Sequence, residues 1–208
     1  MAQLLFYDEA THTYAIDGIK VPSVTEIVGL LNSVDMNNPM IRQAAVRGSL
    51  VHEYCEAIDY GAAPDEVEPE LVGYLRAYNA FLRDYRPSWL YVETPLYSTT
   101  HGYAGRLDRL GCIDGKITIV DIKTNASFDR TAKIKLACQL FGYSEMFEER
   151  YAIKVSERMG VQLKKDGTYT VHEAQKSEQK YGFDAERLFW QLLEITKIIG
   201  GYTWQKNS

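Results

Sequence analysis

Between Pro87 and Thr124 the apolar positions recur at every second residue in three runs, WLYVETPLYST, GYAGRLDRLGCI and KITIVDIKT. Alternation of this kind predicts strands with a core-facing side. The short joins, Asp114-Gly115 among them, predict an antiparallel meander. On either side the period lengthens. Asn38 and Pro39 open a helix that runs through MIRQAAVRGSLVHEYCEAIDYG to about Gly61. A second helix covers PELVGYLRAYNAFLRDY and stops at Pro87, and a long third runs from about Asp129 into FEER with Leu136, Leu140 and Met146 inward. At the N-terminus LLFYDEATHTYAIDGIKV predicts a strand, a turn and a strand. VPSVTEIVGLL adds a short helix opened by a Ser23–Glu26 capping box, and the loop LNSVDMNN follows. Beyond Tyr151, GVQLKKDGTYTVHEA predicts a hairpin turning at Asp166-Gly167, and FDAERLFWQLLEITKII an amphipathic helix capped by Asp184. The order predicts a mixed α/β fold, a mixed sheet flanked by helices, in a single domain over 1–208. Its N-terminal strands and short helix occupy 1–37, its core 38–150 and its C-terminal hairpin and helix 151–208.

Composition agrees with a globular chain: 208 residues, 46% hydrophobic and 25% charged, are enough to close a substantial core. No apolar run approaches the roughly 20 residues of a membrane span. The start MAQLLFYDEATHTY resembles neither a secretory signal nor a transit peptide, so the expectation is a cytoplasmic protein without a membrane partner. Cys55, Cys112 and Cys138 lie far apart with no C-x-x-C, which predicts small core residues and neither a disulfide framework nor a zinc ribbon. A formal charge of −5 argues against a sequence-independent nucleic-acid coat. Locally the balance reverses. Residues 101–138 set Arg106, Arg109, Lys116, Lys123, Arg130, Lys133 and Lys135 against Asp108, Asp114, Asp121 and Asp129. Taken alone, such a cluster reads equally as a solvated face.

Within it, ITIVDIKT carries candidate chemistry. Alternation puts Ile117, Ile119, Asp121 and Lys123 on one side and Thr118, Val120, Ile122 and Thr124 on the other, so an acid and a base continue a core face. Burying such charges costs several kcal/mol unless they are paired or bind a metal. Asp-x-Lys arises by chance about once in a chain of this length, and Asp114-Gly115-Lys116 is an internal control that reads as a turn. Asp108, thirteen residues before Asp121, falls beside it in a one-strand meander, and two adjacent carboxylates require a cation between them. Gly105 suits a close approach near that point, and Lys123 aims at an attacking water or a phosphate. On the first long helix Gly48, His52 and Glu56 share a face: the glycine clears space, His52 is either a ligand or a satisfied structural group, and Glu56 either backs the imidazole or is a surface acid. Gln139 and Tyr143, one turn apart, read from their positions alone as boundary residues.

Together, R-G-S-L-V-H-E-Y-C-E, G-R-L-D, V-D-I-K-T and Q-L-F-G-Y closely resemble, in order and spacing, the G-x-x-x-H, G-x-x-D, D-x-K and Q-x-x-x-Y motifs of the RecB-like branch of the PD-(D/E)XK nuclease superfamily. The resemblance spans about residues 48–143, with less specific likeness to phage-type members outside it. It implies a restriction-endonuclease-like core and a metal-dependent DNA nuclease, an exonuclease more than an endonuclease, acting in DNA processing, recombination or repair. It implies that His52, Asp108 and Asp121 bind Mg²⁺ or Mn²⁺ with the Ile122 carbonyl, that Lys123 activates the attacking water, and that Gln139 and Tyr143 hold the scissile phosphate and the lysine region. Glu93 is implied in a second metal or the shell of the first, and Glu56 in supporting His52. DNA is the expected partner, single-stranded in preference to duplex, alongside a helicase or recombinase. Relatives with four cluster-binding cysteines differ from this chain, so no iron–sulfur cluster is expected. Two other classes compete: a nucleic-acid-binding or assembly module that keeps the fold without turnover, and a structural ion-pair network in an unrelated α/β protein.

Overall fold

The computed structural model describes residues 4–8, 13–31, 37–62 and 66–204. Most of the expected loop after Leu31 lies outside the described residues. Its small sheet comprises β1 (Leu5–Asp8), β2 (Thr13–Ile16) and β3 (Ile19–Val21), followed by α1 (Val24–Gly29). Where the sequence predicts two strands the chain makes three, because Asp17 (φ +50°) and Gly18 (φ +81°) turn it within two residues, and the successive positive φ values are those of a type I′ hairpin. The oxygen of Ser23 caps α1 by accepting the Glu26 N–H, as expected of half a capping box. The Glu26 carboxylate goes instead to the Tyr202 hydroxyl.

Two helices precede the main sheet, α2 (Pro39–Asp59, capped by Asn38) and α3 (Val72–Tyr85), whose end at left-handed Arg86 adjoins Pro87. The meander follows as β4 (Ser88–Ser98), β5 (Tyr103–Ile113) and β6 (Lys116–Lys123), with Asp114-Gly115 again a turn of positive φ. Next come α4 (Arg130–Tyr151), β7 (Glu157–Leu163), β8 (Tyr169–Glu173), α5 (Ala174–Tyr181) and α6 (Ala185–Gly200). The five strands lie in the order β4-β5-β6-β7-β8; β6 and β7 are parallel, and every other pair is antiparallel. A parallel pair needs a crossover, and α4 supplies it. Sequence reading missed α5, which is short and polar apart from Ala174 and Tyr181.

Period two along β6 divides the core as expected. Ile119 joins α1, α4 and α6 in one apolar cluster, and Val120 and Ile122 join α2 and α3 in another. The small sheet is tied to the start of β5 through Ala104, whose N–H donates to the Pro22 carbonyl. Leu136, Leu140 and Met146 are buried as anticipated, and so are Cys55 and Cys138, whose thiols burial pushes up, that of Cys138 to about 12. Among the described residues no helix is long and apolar enough to cross a membrane. The basic stretch does not form one patch. Arg109 is fully buried, and Lys116 lies at the far end of β6 from Lys123, paired with Glu157.

Glu149, near the C-terminal end of α4, clamps the β4–β5 turn by accepting from the Ser98 and Thr99 hydroxyls and from the Thr99 and Thr100 N–H groups. Burial works against its charge, yet these bonds outweigh it and hold the carboxyl below its ordinary 4.5. A depressed carboxylate contributes stability above its unfolded pKa and loses it as pH falls through the folded one. Glu149→Gln is therefore expected to lower stability at pH 7, by a margin that narrows in urea titrations as pH falls below about 4.5.

Candidate functional site

The C-terminal end of β6 lies between α2 and α4. At that level the two preceding strands, β4 and β5, break their alternation. Along β5, Tyr103, Gly105 and Leu107 face α4, but so does Leu110, three residues after Leu107, while Arg109 faces α2 and α3. Along β4, Leu96 faces the α4 side and so does Tyr91, five residues earlier. The pairing keeps one register across the break, from Tyr91↔Leu110 and Val92↔Arg109 to Thr94↔Leu107, so the irregular residues, Glu93 and Asp108, stand opposite one another. Glu93 has φ +44°, a left-handed conformation uncommon outside glycine. Sequence reading sets Glu93 on the same side as Tyr91 and Tyr97. In the fold its carboxylate turns the other way, toward α2, because this φ interrupts the alternation.

Arg109 holds that conformation. It is fully buried, with Nε 2.5 Å from Asp59 Oδ2, and Nη1 2.7 Å from both Glu93 Oε1 and the Asp108 carbonyl. Asp59 also accepts from the Tyr78 hydroxyl and from Trp89 Nε1. Burial opposes the guanidinium charge, but Tyr78, Asp59, Asp108 and Glu93 outweigh it and raise its pKa. Sequence reading counted Arg109 in a local basic cluster and passed over Asp59; the signal was Asp59's place four residues after buried Cys55 and eight after buried Val51 on α2.

His52 reaches the sheet from the same helix. Its Nε2 lies 3.1 Å from the Ile122 carbonyl, and Nδ1 lies 3.4 Å from Glu93 Oε1 and 3.6 Å from Asp108 Oδ2. The Ile122 carbonyl, expected as a ligand, thus orients the ring. With Nε2–H donating, Nδ1 turns a lone pair toward two carboxylates, an arrangement that is favourable only with a proton or a metal cation between them. Burial opposes a charge on His52, yet Asp108, Glu93 and Asp121 outweigh it and raise its pKa. Burial also lifts Asp108 to about 6, against the pull of His52 and Lys123 and with the push of Asp121 and Glu93, although its Oδ2 accepts the Ile122 N–H at 2.7 Å. Glu93 is held low by His52 and Arg109 despite burial. Glu56 is not among the contacts of the His52 ring: the supporting acids come from β4 and β5.

The ligand atoms of His52, Glu93 and Asp108 lie within 4.8 Å of one another, a spread one cation with ligands at about 2.0–2.6 Å can bridge. Asp121 stands apart from this trio. It is 1% exposed and neither carboxylate oxygen receives a hydrogen bond; Lys123 Nζ sits 2.6 Å from Oδ2, a charge contact outside hydrogen-bond geometry. Buried carboxylate oxygens balanced by a single ammonium suit a hard divalent cation such as Mg²⁺ or Mn²⁺. The donor set therefore fits the expected metal, with Glu93 more central than the sequence suggested.

On the α4 side, Lys123 Nζ also donates to Gln139 Oε1 at 3.1 Å, and Gln139 Nε2 lies 3.4 Å from the Tyr143 hydroxyl. Burial opposes the lysine charge, but Asp121 and Asp108 raise its pKa. Tyr143 is 3% exposed and stacked behind Gln139, so any effect it has on a substrate passes through that glutamine. Gly105 is required here: a Cβ would come within 2.9 Å of the Tyr143 ring and 3.1 Å of Val24. Gly48 does admit another element, but not tightly, since a Cβ there would meet only Thr124 Oγ1 at 3.4 Å.

No family model and no curated protein matches the chain. Among solved structures, the crystal structure of SSO0001 is similar at 16% identity and a TM-score of 0.44, over 85% of this chain and 75% of that one.

Breaking a buried ion pair from one side costs about 3–5 kcal/mol, because the remaining charge is left without compensation. Asp59→Ala is expected to destabilise the protein by about that amount in urea unfolding. Trp89 fluorescence should change with it, since the indole loses its acceptor. A loss below about 1 kcal/mol would mean that Arg109 is satisfied without Asp59.

Proposed function

We propose that this chain is a divalent-metal-dependent deoxyribonuclease with a PD-(D/E)XK core of the RecB-like branch, acting as an exonuclease on single-stranded DNA in preference to duplex. The observation that carries the reading is the convergence of His52, Glu93 and Asp108 within 4.8 Å, beside an Asp121 whose buried oxygens lack hydrogen bonds and a lysine held over it. The four sequence motifs bring His52, Asp108, Asp121 with Lys123, and Gln139 with Tyr143 to this place; Glu93 comes from outside them.

His52, Asp108 and Asp121, with Glu93, would hold the cation, which when bound supplies Lewis acidity at the non-bridging phosphate oxygens. Glu93 is already shared between Arg109 and Arg106, so it contributes less free charge than the two aspartates. The ammonium of Lys123, 26% exposed in its side chain, is the cation that can meet a phosphate or an attacking water. Gln139 fixes the lysine's direction, and Tyr143 fixes the glutamine. His52 is the ligand whose nitrogen favours Mn²⁺ over Mg²⁺ in vitro, whereas cellular abundance favours Mg²⁺.

The test is digestion of end-labelled and circular single- and double-stranded DNA with Mg²⁺ or Mn²⁺. Linear substrates are expected to be degraded from their ends while circles persist; absence of cleavage on every substrate with either metal rejects the proposal. Asp121→Ala and Lys123→Ala should each abolish cleavage with the fold intact, and Asp114→Ala or Lys116→Ala should leave it unchanged. In calorimetric Mn²⁺ titrations, His52→Ala should weaken binding by about 10–100-fold. Gln139→Ala should leave metal affinity unchanged while slowing cleavage, and Tyr143→Phe, which removes only the hydroxyl behind Gln139, should slow it less.

A further inference from the structure

At the first turns of α4 three cations converge on one ring. Arg130 Cζ lies 5.7 Å, Lys133 Nζ 5.9 Å and Lys180 Nζ 5.5 Å from the centroid of Tyr181. Arg130 also donates to the Tyr181 carbonyl and Lys133 to its hydroxyl. Among the described residues none of the three pairs with a carboxylate, whereas the lysines at 116, 154, 176 and 197 each do. The nearby acids are engaged elsewhere: Asp129 caps α4, and Glu178 takes Arg158 and the Ala185 N–H. Three like charges gathered on one tyrosine repel one another, and cation–π contacts of about 0.5–1 kcal/mol at exposed sites offset that only partly. An anion would complete the group.

The cluster is connected to the candidate metal site. Lys123 pairs across the parallel ladder with Gln162, whose side chain donates to the Asn125 carbonyl and meets His172 Nε2 at 3.1 Å. His172 stacks on Phe128 at 4.2 Å, and burial, then Lys133 and Lys164, depress its pKa to about 4, so that it is neutral there. Along α4, Lys133 precedes Gln139 by six residues, about 9 Å of helix axis, a distance a strand crosses within a few nucleotides. Lys135, on the site side of the helix, is itself held low by burial and by Lys123. Positive charge thus runs from the reacting end of β6 to Tyr181 in a chain whose net charge is −5.

We propose that Arg130, Lys133 and Lys180, gathered on Tyr181, form a backbone-phosphate subsite for a nucleic-acid strand, a few nucleotides away from the phosphate that meets Lys123. The subsite rests on the nuclease reading and extends it by giving the strand a path over the first turns of α4. Tyr181 has its ring faces occupied by cations, so it organises charge and does not stack bases.

The experiment uses the full chain, a fluorescein-labelled 12-nucleotide single strand, and Ca²⁺ in place of Mg²⁺ to limit turnover. The triple variant R130Q/K133Q/K180Q is compared with R130Q alone and with K116Q/K154Q/K176Q, which removes the same charge at lysines already paired. Each phosphate neutralised on a single strand contributes about 0.7 to the slope of log affinity against log salt. The first triple variant is expected to lose about 2 from that slope and about tenfold or more in affinity at 0.1 M salt. R130Q alone should lose about a third of the slope change, and the paired-lysine control almost none. Hydrolysis of bis(p-nitrophenyl) phosphate, which reaches only the scissile position, should be the same in the triple variant and the wild type. Equal losses in both triple variants would show that net charge alone is responsible and overturn the subsite, as would an unchanged slope or a parallel loss of small-ester hydrolysis. If the wild-type chain hydrolyses the small ester but binds no strand, the subsite fails while the metal site stands; if it does neither, the nuclease reading fails first.

Discussion

A guanidinium with no exposure to solvent holds the two sides of the candidate site together. Arg109 lies between Asp59 of α2 and Glu93 of β4, and its Nη1 also meets the carbonyl of Asp108. Taking an arginine wholly out of water costs several kcal/mol after relaxation, and the cost is met only if carboxylates are brought in close and kept there. Those carboxylates fix the geometry around them. Asp59 pins the C-terminal end of α2 against α3 and β4 through Tyr78 and Trp89, and this sets the depth at which His52, two turns earlier, reaches the sheet. Glu93 is held in a left-handed backbone conformation that a glutamate otherwise avoids, at a cost of order 1–3 kcal/mol. One buried charge thereby positions a histidine and an acid that approach each other from different layers.

The break in alternation has a geometric purpose. In a regular pair of strands, Glu93 would point to the α4 side with Tyr91, and no carboxylate of β4 would face His52. By stepping out of phase at the same level, β4 and β5 return Leu96 and Leu107 to the α4 core while sending Glu93 and Arg109 toward α2. Both halves of each strand keep an apolar side in a core, and only the residues at the step are free to serve the site.

That step is also where sequence reading stops working. Period two located all three meander strands and correctly divided Ile119 from Val120 and Ile122, because in β6 the pattern is unbroken. It misdirected Glu93, since nothing in V-E-T-P-L announces a positive φ; the residue adopts one because Arg109, sixteen positions away, requires it there. The same reasoning applies to Glu56. Helical spacing put it under His52, but the ring is turned by the Ile122 carbonyl seventy residues away. Local signals fared better: Asn38 and Asp184 cap their helices as expected, α4 starts at Asp129 as expected, and Asp17-Gly18 makes a hairpin that was hidden only because its strands are three and four residues long. Gln139 and Tyr143 were boundary residues on spacing alone, yet both are buried, because α4 presses that face onto Lys123 and Gly105.

Lys123 divides its ammonium between Asp121 and Gln139, and the two partners differ in what a divalent cation would do to them. A carboxylate is a strong ligand for a hard metal and a neutral amide oxygen a weaker one, so on the proposed reading Asp121 would serve the metal and Gln139 would keep the lysine. The ammonium would keep the direction Gln139 gives it, with its charge available to a phosphate. Lys123 and His52 bring positive charge to the site, one beside Asp121 and the other beside Asp108 and Glu93, and this is how three buried acids tolerate one another. The groups that balance these acids in the fold are the same ones the proposed chemistry would use, and the elements behind them, Arg109 on one side and Tyr143 on the other, hold them in place.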